Sequence, residues 1–394
     1  STLIRSRRQR QMCIRDSLRE LAALPEVAKV TPDETLSAPV AEVSATSVAE
    51  WNLDAIGVPE LWSAGYDGTG TVVAGLDTGV DSDHPDLAQK WRGGSNSWFD
   101  PNGEHPTPYD ASGHGTQTMG LMVGGDQGGT AIGVAPGAQW IAVKIFNDAG
   151  YASVSGIHQG FQWLLDPDDN PATDDAPDVV NNSWGFPELV GECYTEFNTD
   201  IQILKSAGIA VAFSAGNQGD LGSESPADNP DAFAVGAVDA SQAVASSSSR
   251  GPSSCDGTTF PEVVAPGVSV KTSDLTFGGV VPDSYAYVSG TSYAAPHVAG
   301  AMALLMQANP AAGVIDIEQA LTDGALDLLV AGPDNTSGYG LIDTVASNTL
   351  LSDISSPACV DSDGDDFFST SSCGTLVDCD DYDAAINPAA CDIK

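Results

Sequence analysis

Five short runs of small and branched apolar residues, at 71–76, 140–145, 179–182, 209–214 and 232–238, stand out along the chain. Their unbroken Val, Ala, Ile and Leu character suits strands covered on both faces rather than strands with one wet face. Interleaved with them, or following them, are segments whose apolar positions recur at helical spacing: 115–123, 154–165, 196–206, 292–307 and 316–322. This alternation, from Trp51 to about Asp343, predicts an α/β fold with a doubly wound, mostly parallel sheet and helices on both faces. Chemistry in such sheets gathers beyond the carboxyl ends of the strands.

The flanks break the pattern. Residues 18–49 open on a strand-like piece at 24–30, then turn small and polar in the manner of a processed linker. Residues 50–347 hold the alternating domain, 348–357 form a Ser/Thr/Asn-rich linker, and 358–394 read as a separate small module. Six of the fourteen basic residues lie between Arg5 and Arg19. Residues 1–17 are therefore expected to be a non-native leader, set aside from the fold, with the natural N-terminus and any secretion signal missing.

Charge narrows the partners. With 54 acidic and 14 basic side chains the formal net charge is −40, which argues against nucleic acid. No apolar stretch approaches the roughly 18 residues of a membrane span. Of seven cysteines, Cys13 lies in the leader, Cys193 and Cys255 in the main domain, and Cys359, Cys373, Cys379 and Cys391 near the end. A dense terminal group without a nearby His points to disulfides rather than zinc, hence to an oxidising compartment and a secreted protein. Among these cysteines stand Asp361, Asp363 and Asp365, then Asp380, Asp381 and Asp383. Aspartates alternating about Gly364 resemble the first half of an EF-hand loop without its distal Glu. The expectation is a calcium-binding module; the plainer alternative is a disulfide-stapled acidic tail with no ion.

Three short segments carry candidate chemistry. Asp77-Thr78-Gly79 follows the first strong strand, Gly113-His114-Gly115 opens a helix, and Gly290-Thr291-Ser292 opens another. They supply a carboxylate, an imidazole and a hydroxyl, the parts of a nucleophilic hydrolase. Each alone has an ordinary reading: a turn, a packed histidine, an N-cap serine. An aspartic protease needs two such carboxylates, and the chain has no second Asp-Thr-Gly or Asp-Ser-Gly. His84 and His297 are expected to serve packing or local hydrogen bonding, and His105 and His158 to lie on the surface. A fourth element, Ser214-Ala215-Gly216-Asn217, leaves a buried strand with an amide that can donate to an oxyanion.

Together these four segments resemble the subtilisin-like serine peptidases over about residues 51–347, as do 134–138, Lys144, 264–267 and 290–300. Within that family, 51–56, 65–70 and 177–185 look most like bacillopeptidase F-like members. The resemblance implies Asp77, His114 and Ser292 as triad acid, base and nucleophile, with Asn217 as oxyanion donor. It implies that substrate lies as an extra strand between 183–185 and the segment 147–151 with Gly150. Ser183, Trp184, Gly185, Ala215 and Gly216 would wall the primary specificity pocket, whose base the sequence leaves open. Residues 18–36 are similar to the tail of an inhibitory propeptide, an intramolecular partner. Asp86, with loop 125–131, falls where relatives bind structural calcium. Gln117 stands where many members have a second histidine, which is not the base.

The leading expectation is a secreted, monomeric, calcium-supported endopeptidase acting on polypeptides. Two alternatives stay open: an inactive scaffold serving as a calcium-dependent binding or adhesion module, and a peptide-cyclising transferase on the same triad.

Overall fold

The computed structural model describes residues 51–277 and 284–355, preceded by 33–39, 42–43 and scattered positions between 23 and 31. The expectations for residues 1–17, for most of 24–30, and for the module with Asp361, Asp363, Asp365, Asp380, Asp381 and Asp383 lie outside the described residues.

Twelve described strands are β1 (Thr35–Ser37), β2 (Glu42–Val43), β3 (Val72–Asp77), β4 (Trp98–Phe99), β5 (Gln139–Lys144), β6 (Tyr151–Ser153), β7 (Val179–Asn182), β8 (Ala210–Ser214), β9 (Phe233–Val238), β10 (Val263–Pro266), β11 (Val270–Ser273) and β12 (Tyr285–Ser289). Seven form one sheet in the order β10-β9-β8-β7-β3-β5-β4. Every pairing in it is parallel. From β3 the chain goes to the edge strand β4, returns to β5 between the two, then crosses to β7 and builds the other way through β8, β9 and β10. The strand order therefore reverses between β3 and β7, and ligands bind outside the carboxyl ends of such a pair. Those ends are Asp77 and Asn182. A three-stranded antiparallel sheet, β11-β12-β2, and the antiparallel pair β1-β6 complete the set.

Eight described helices are α1 (Trp51–Asp54), α2 (Val58–Ser63), α3 (His114–Val123), α4 (Val154–Leu165), α5 (Asn198–Ser206), α6 (Thr291–Ala308), α7 (Val314–Asp323) and α8 (Thr344–Ser355). Strand alternation sorts the core into two layers. Val73, Trp140, Ala142, Val179, Ala212 and Val235 face α3 and α6. Their neighbours Ala74, Ile141, Val143, Val180, Val211 and Ala234 face α4 and α5 through Ile157, Phe161 and Leu204. The doubly wound architecture is thus present, with β3, β5, β7, β8 and β9 each within one residue of its sequence expectation. Helix α6 is buried on all sides from Thr291 to Leu305. Small residues permit this: a Cβ on Gly300 would lie 2.6 Å from Val134 Cβ.

Two expectations need correction. The linker expected at 348–357 is helical up to Ser355, as part of α8. Its first residue is held by Thr344 N–H and Oγ1 donating to the Ile56 carbonyl at 2.9 and 2.8 Å, and Leu351 is buried. Docking overrides the poor helix propensity of its Ser, Thr and Asn residues. The polar linker expected before residue 50 contains strand β1, whose Leu36 is buried in the second core layer. Among the described residues no helix is long and apolar enough to cross a membrane.

Candidate active site

Asp77 ends β3, and His114 is the first residue of α3. The two elements meet because Gly115 has no side chain: a Cβ there would lie 2.1 Å from the Gly79 carbonyl oxygen. Thr78 Oγ1 accepts from Gly115 N–H at 2.8 Å. Asp110 accepts from Gly113 N–H and Thr116 N–H, both at 2.9 Å, placing a carboxylate at the positive end of α3. In this frame His114 Nδ1 meets Asp77 Oδ1 at 2.7 Å, with both side chains buried. Asp77 is itself held by Thr78 N–H at 2.7 Å. Burial works against the imidazolium, yet the Asp77 carboxylate, helped by Asp110, outweighs it and holds His114 above the ordinary histidine value.

His114 Nε2 is buried and, among the described residues, has no hydrogen-bond partner. It faces a cleft of about 280 Å³ that it shares with Ser292 and Asn217. Ser292 is the second residue of α6, and its hydroxyl donates not to the imidazole but to the Ser183 carbonyl at 3.3 Å. The reverse bond explains part of this arrangement. Pro296 lies inside α6 and lacks the N–H that would bond the Ser292 carbonyl four residues earlier. Ser183 Oγ supplies the missing donor at 2.8 Å. The serine-to-histidine hydrogen bond is not formed; such bonds are commonly loose before substrate enters.

Asn217 leaves the end of β8 through Gly216, whose φ of 98° is a left-handed conformation that a side chain would strain. Asn217 Oδ1 accepts from Thr291 N–H at 2.9 Å and Thr291 Oγ1 at 3.1 Å. The amide orientation is thereby fixed, with Nδ2 left as the uncommitted donor. Of the expected pocket walls, Ser183, Gly185 and Gly216 line the cleft, and Ala215 is buried directly behind them. Trp184 lines it too, but its ring is buried among Phe161, Phe186, Phe197 and Phe213, so its side chain belongs to the core. Gly150 accepts from Ala38 N–H at 2.7 Å, and β1 pairs with β6 in the register Leu36 to Ala152. The groove expected to take substrate as an extra strand thus holds the chain's own residues 35–38, and Pro39 reaches the same cleft.

At Asp86, where the resemblance implied calcium, both carboxylate oxygens already accept hydrogen bonds. Its Oδ1 accepts from Gln127 N–H at 2.8 Å and its Oδ2 from the Tyr285 hydroxyl at 2.6 Å. Lys90, whose Nζ donates to the Val123 carbonyl, is in the same neighbourhood and feels the Asp86 charge. Burial lowers the Lys90 pKa to about 8, with Asp86 opposing that fall.

Sequence reasoning missed the Ser183–Ser292 exchange, although a proline five residues into a helix signals an orphaned carbonyl. It also left open how the loops beside the pocket are held. A disulfide joins Cys193 to Cys255 across 62 residues. It braces segment 223–229, where Tyr194 N–H donates to Ser225 Oγ at 2.9 Å and Asn229 Nδ2 to the Tyr194 carbonyl at 3.1 Å. His297 behaves as expected of a packed histidine: it meets Asn52 at 2.9 Å and the Tyr293 carbonyl at 2.7 Å. Burial lowers its pKa to about 4.

The model of the Subtilase family matches residues 68–340. Bacillopeptidase F of Bacillus subtilis (strain 168) is 38% identical over 374 residues, 86% of this chain and 25% of its own length. The chain therefore spans about a quarter of that relative. Subtilisin E of the same organism is 37% identical over 75% of this chain and 69% of its own length. Subtilisin Savinase of Lederbergia lenta is 36% identical over 75% of this chain and 97% of its own length. With this fold and this extent of likeness, the chain belongs to the Subtilase family of serine peptidases.

Proposed function

We propose that this domain is an endopeptidase in which Ser292 attacks the scissile carbonyl, His114 takes its proton and Asp77 holds the imidazole. The observation that carries this reading is the buried, unpartnered Nε2 of His114 facing the cleft beside Ser292 while Nδ1 is fixed by Asp77. A rotation of the Ser292 hydroxyl away from Ser183 would let it donate to that nitrogen. The acyl-enzyme forms as the peptide C–N bond breaks and the imidazolium gives its proton to the leaving amine; water then repeats the sequence on the ester. Asn217 Nδ2 and the Ser292 N–H, one of the first-turn donors that an α-helix leaves unused, would hold the oxyanion. The test is casein hydrolysis by the full chain beside Ser292→Ala, with and without phenylmethylsulfonyl fluoride. A folded wild-type chain that cleaves nothing would return the inactive-scaffold reading.

Residues 33–39 are proposed as the inhibitory end of a propeptide; the main-chain pairing of β1 with β6, in the groove proposed for substrate, and the buried Leu36 support this. Secretion, a monomeric state and calcium binding by 358–394 remain part of the same proposal. The Cys193–Cys255 bridge favours an oxidising compartment.

A further inference from the structure

The cleft beside Ser292 has a carboxylate in its wall that the chemistry above does not use. Glu224 lines the cleft together with Gly185 and Gly216, and it is only 5% exposed. The two glycines make room for it. A Cβ on Gly185 would lie 2.5 Å from Glu224 Oε1, and one on Gly216 would lie 2.3 Å from Oε2. The carboxyl group thus lies across the two strips of backbone expected to flank the substrate side chain next to the scissile bond. Among the described residues its oxygens receive no hydrogen bond. The neighbouring serines are spent elsewhere: Ser223 Oγ and Ser225 Oγ both donate to Asp228, at 2.7 and 2.5 Å. A buried carboxyl without a donor costs stability unless a guest supplies one.

We propose that Glu224 sets specificity for a Lys or Arg side chain immediately before the scissile bond, whose cation it pairs with at the bottom of the pocket. This rests on the peptidase reading and deepens it. Burial, with Glu188 and Asp228 adding like charge, pushes the Glu224 carboxyl up to about 8. A cationic guest reverses both influences by supplying the opposite charge and the donors, so binding ionises the carboxyl. A neutral side chain would leave it buried and unpaired, which is the kind of mismatch that gives large discrimination. Pro39, the chain's own residue in the cleft, supplies no cation to it.

The experiment compares tetrapeptide p-nitroanilides differing only in the last residue (Lys, Arg, Leu, Phe), using the full chain incubated until its activity is constant. Expected is a kcat/KM for Lys and Arg at least about tenfold above Leu and Phe. Glu224→Gln should lose most of that preference while keeping or raising the Leu rate, and Glu224→Asp should retain part of it. A wild-type preference for Leu or Phe would overturn the assignment. So would a Glu224→Gln loss equal for all four substrates, the mark of a structural role. Benzamidine binding, read as a rise in melting temperature, separates the two readings. If no peptide is cleaved but benzamidine stabilises wild type and not Glu224→Gln, the pocket assignment stands and the peptidase reading falls. If Lys and Arg are not preferred and benzamidine stabilises neither, the assignment falls, whatever the activity on other peptides.

Discussion

At the scale of single residues, the candidate site is a set of atoms whose partners are all assigned except those that would meet substrate. Among the described residues, His114 Nδ1 has Asp77 and Nε2 has no partner, while Asn217 Oδ1 has Thr291 and its Nδ2 has none. Two expectations follow. Asn217→Leu should lower kcat about 100- to 1000-fold with KM little changed, the loss measured in subtilisin for such a donor. The second concerns pH. The base must be neutral to work, and its folded pKa lies above 6.5. Activity should therefore rise with pH through a limb centred above 6.5, and a kcat/KM profile centred at or below that value would count against the Asp77–His114 pairing. The four polar residues were legible in the sequence because each sits in a short motif at a strand or helix end. Glu224 was not: Ser223-Glu224-Ser225 reads as a polar loop, and only the fold lays it across Gly185 and Gly216.

At the scale of elements, β3, β7, β8, α3 and α6 deliver their ends to one place because the sheet reverses its order between β3 and β7. Helix α6 reaches the site at a cost: Pro296 orphans the Ser292 carbonyl, and Ser183 at the end of β7 repairs it. Ser183→Ala should leave that buried carbonyl unpaired and reduce unfolding free energy by about 1–3 kcal/mol, measured by urea denaturation of an otherwise inactive variant to avoid autolysis. The continuous apolar runs of β3, β5, β7, β8 and β9 were legible because burial on both faces needs no alternation. Strands β1, β2, β4 and β6 were not, since two- and three-residue pairings carry too little pattern. Helix α8 was missed for the opposite reason, its polar composition being outweighed by docking on the rest of the domain.

At the scale of the whole molecule, a strongly acidic chain carries one described disulfide and lays its own β1 segment along β6, beside the cleft of Ser292. The Cys193–Cys255 loop of 62 residues sets a chain-entropy contribution of about 4 kcal/mol. Reduction, or Cys193→Ser with Cys255→Ser, should lower the melting temperature by several degrees, and an unchanged value would show that the loops around the pocket are held without it. The central claim, that Ser292 is the nucleophile of a peptidase, is met most directly by covalent labelling. The matured full chain is treated with phenylmethylsulfonyl fluoride, and adducts are mapped by peptide mass spectrometry while residual casein hydrolysis is followed. The account predicts one sulfonyl group per chain, on Ser292, with activity lost in proportion, and no label on Ser292 in His114→Ala. A folded, unlabelled chain, or one labelled and inactivated at another residue, would contradict it.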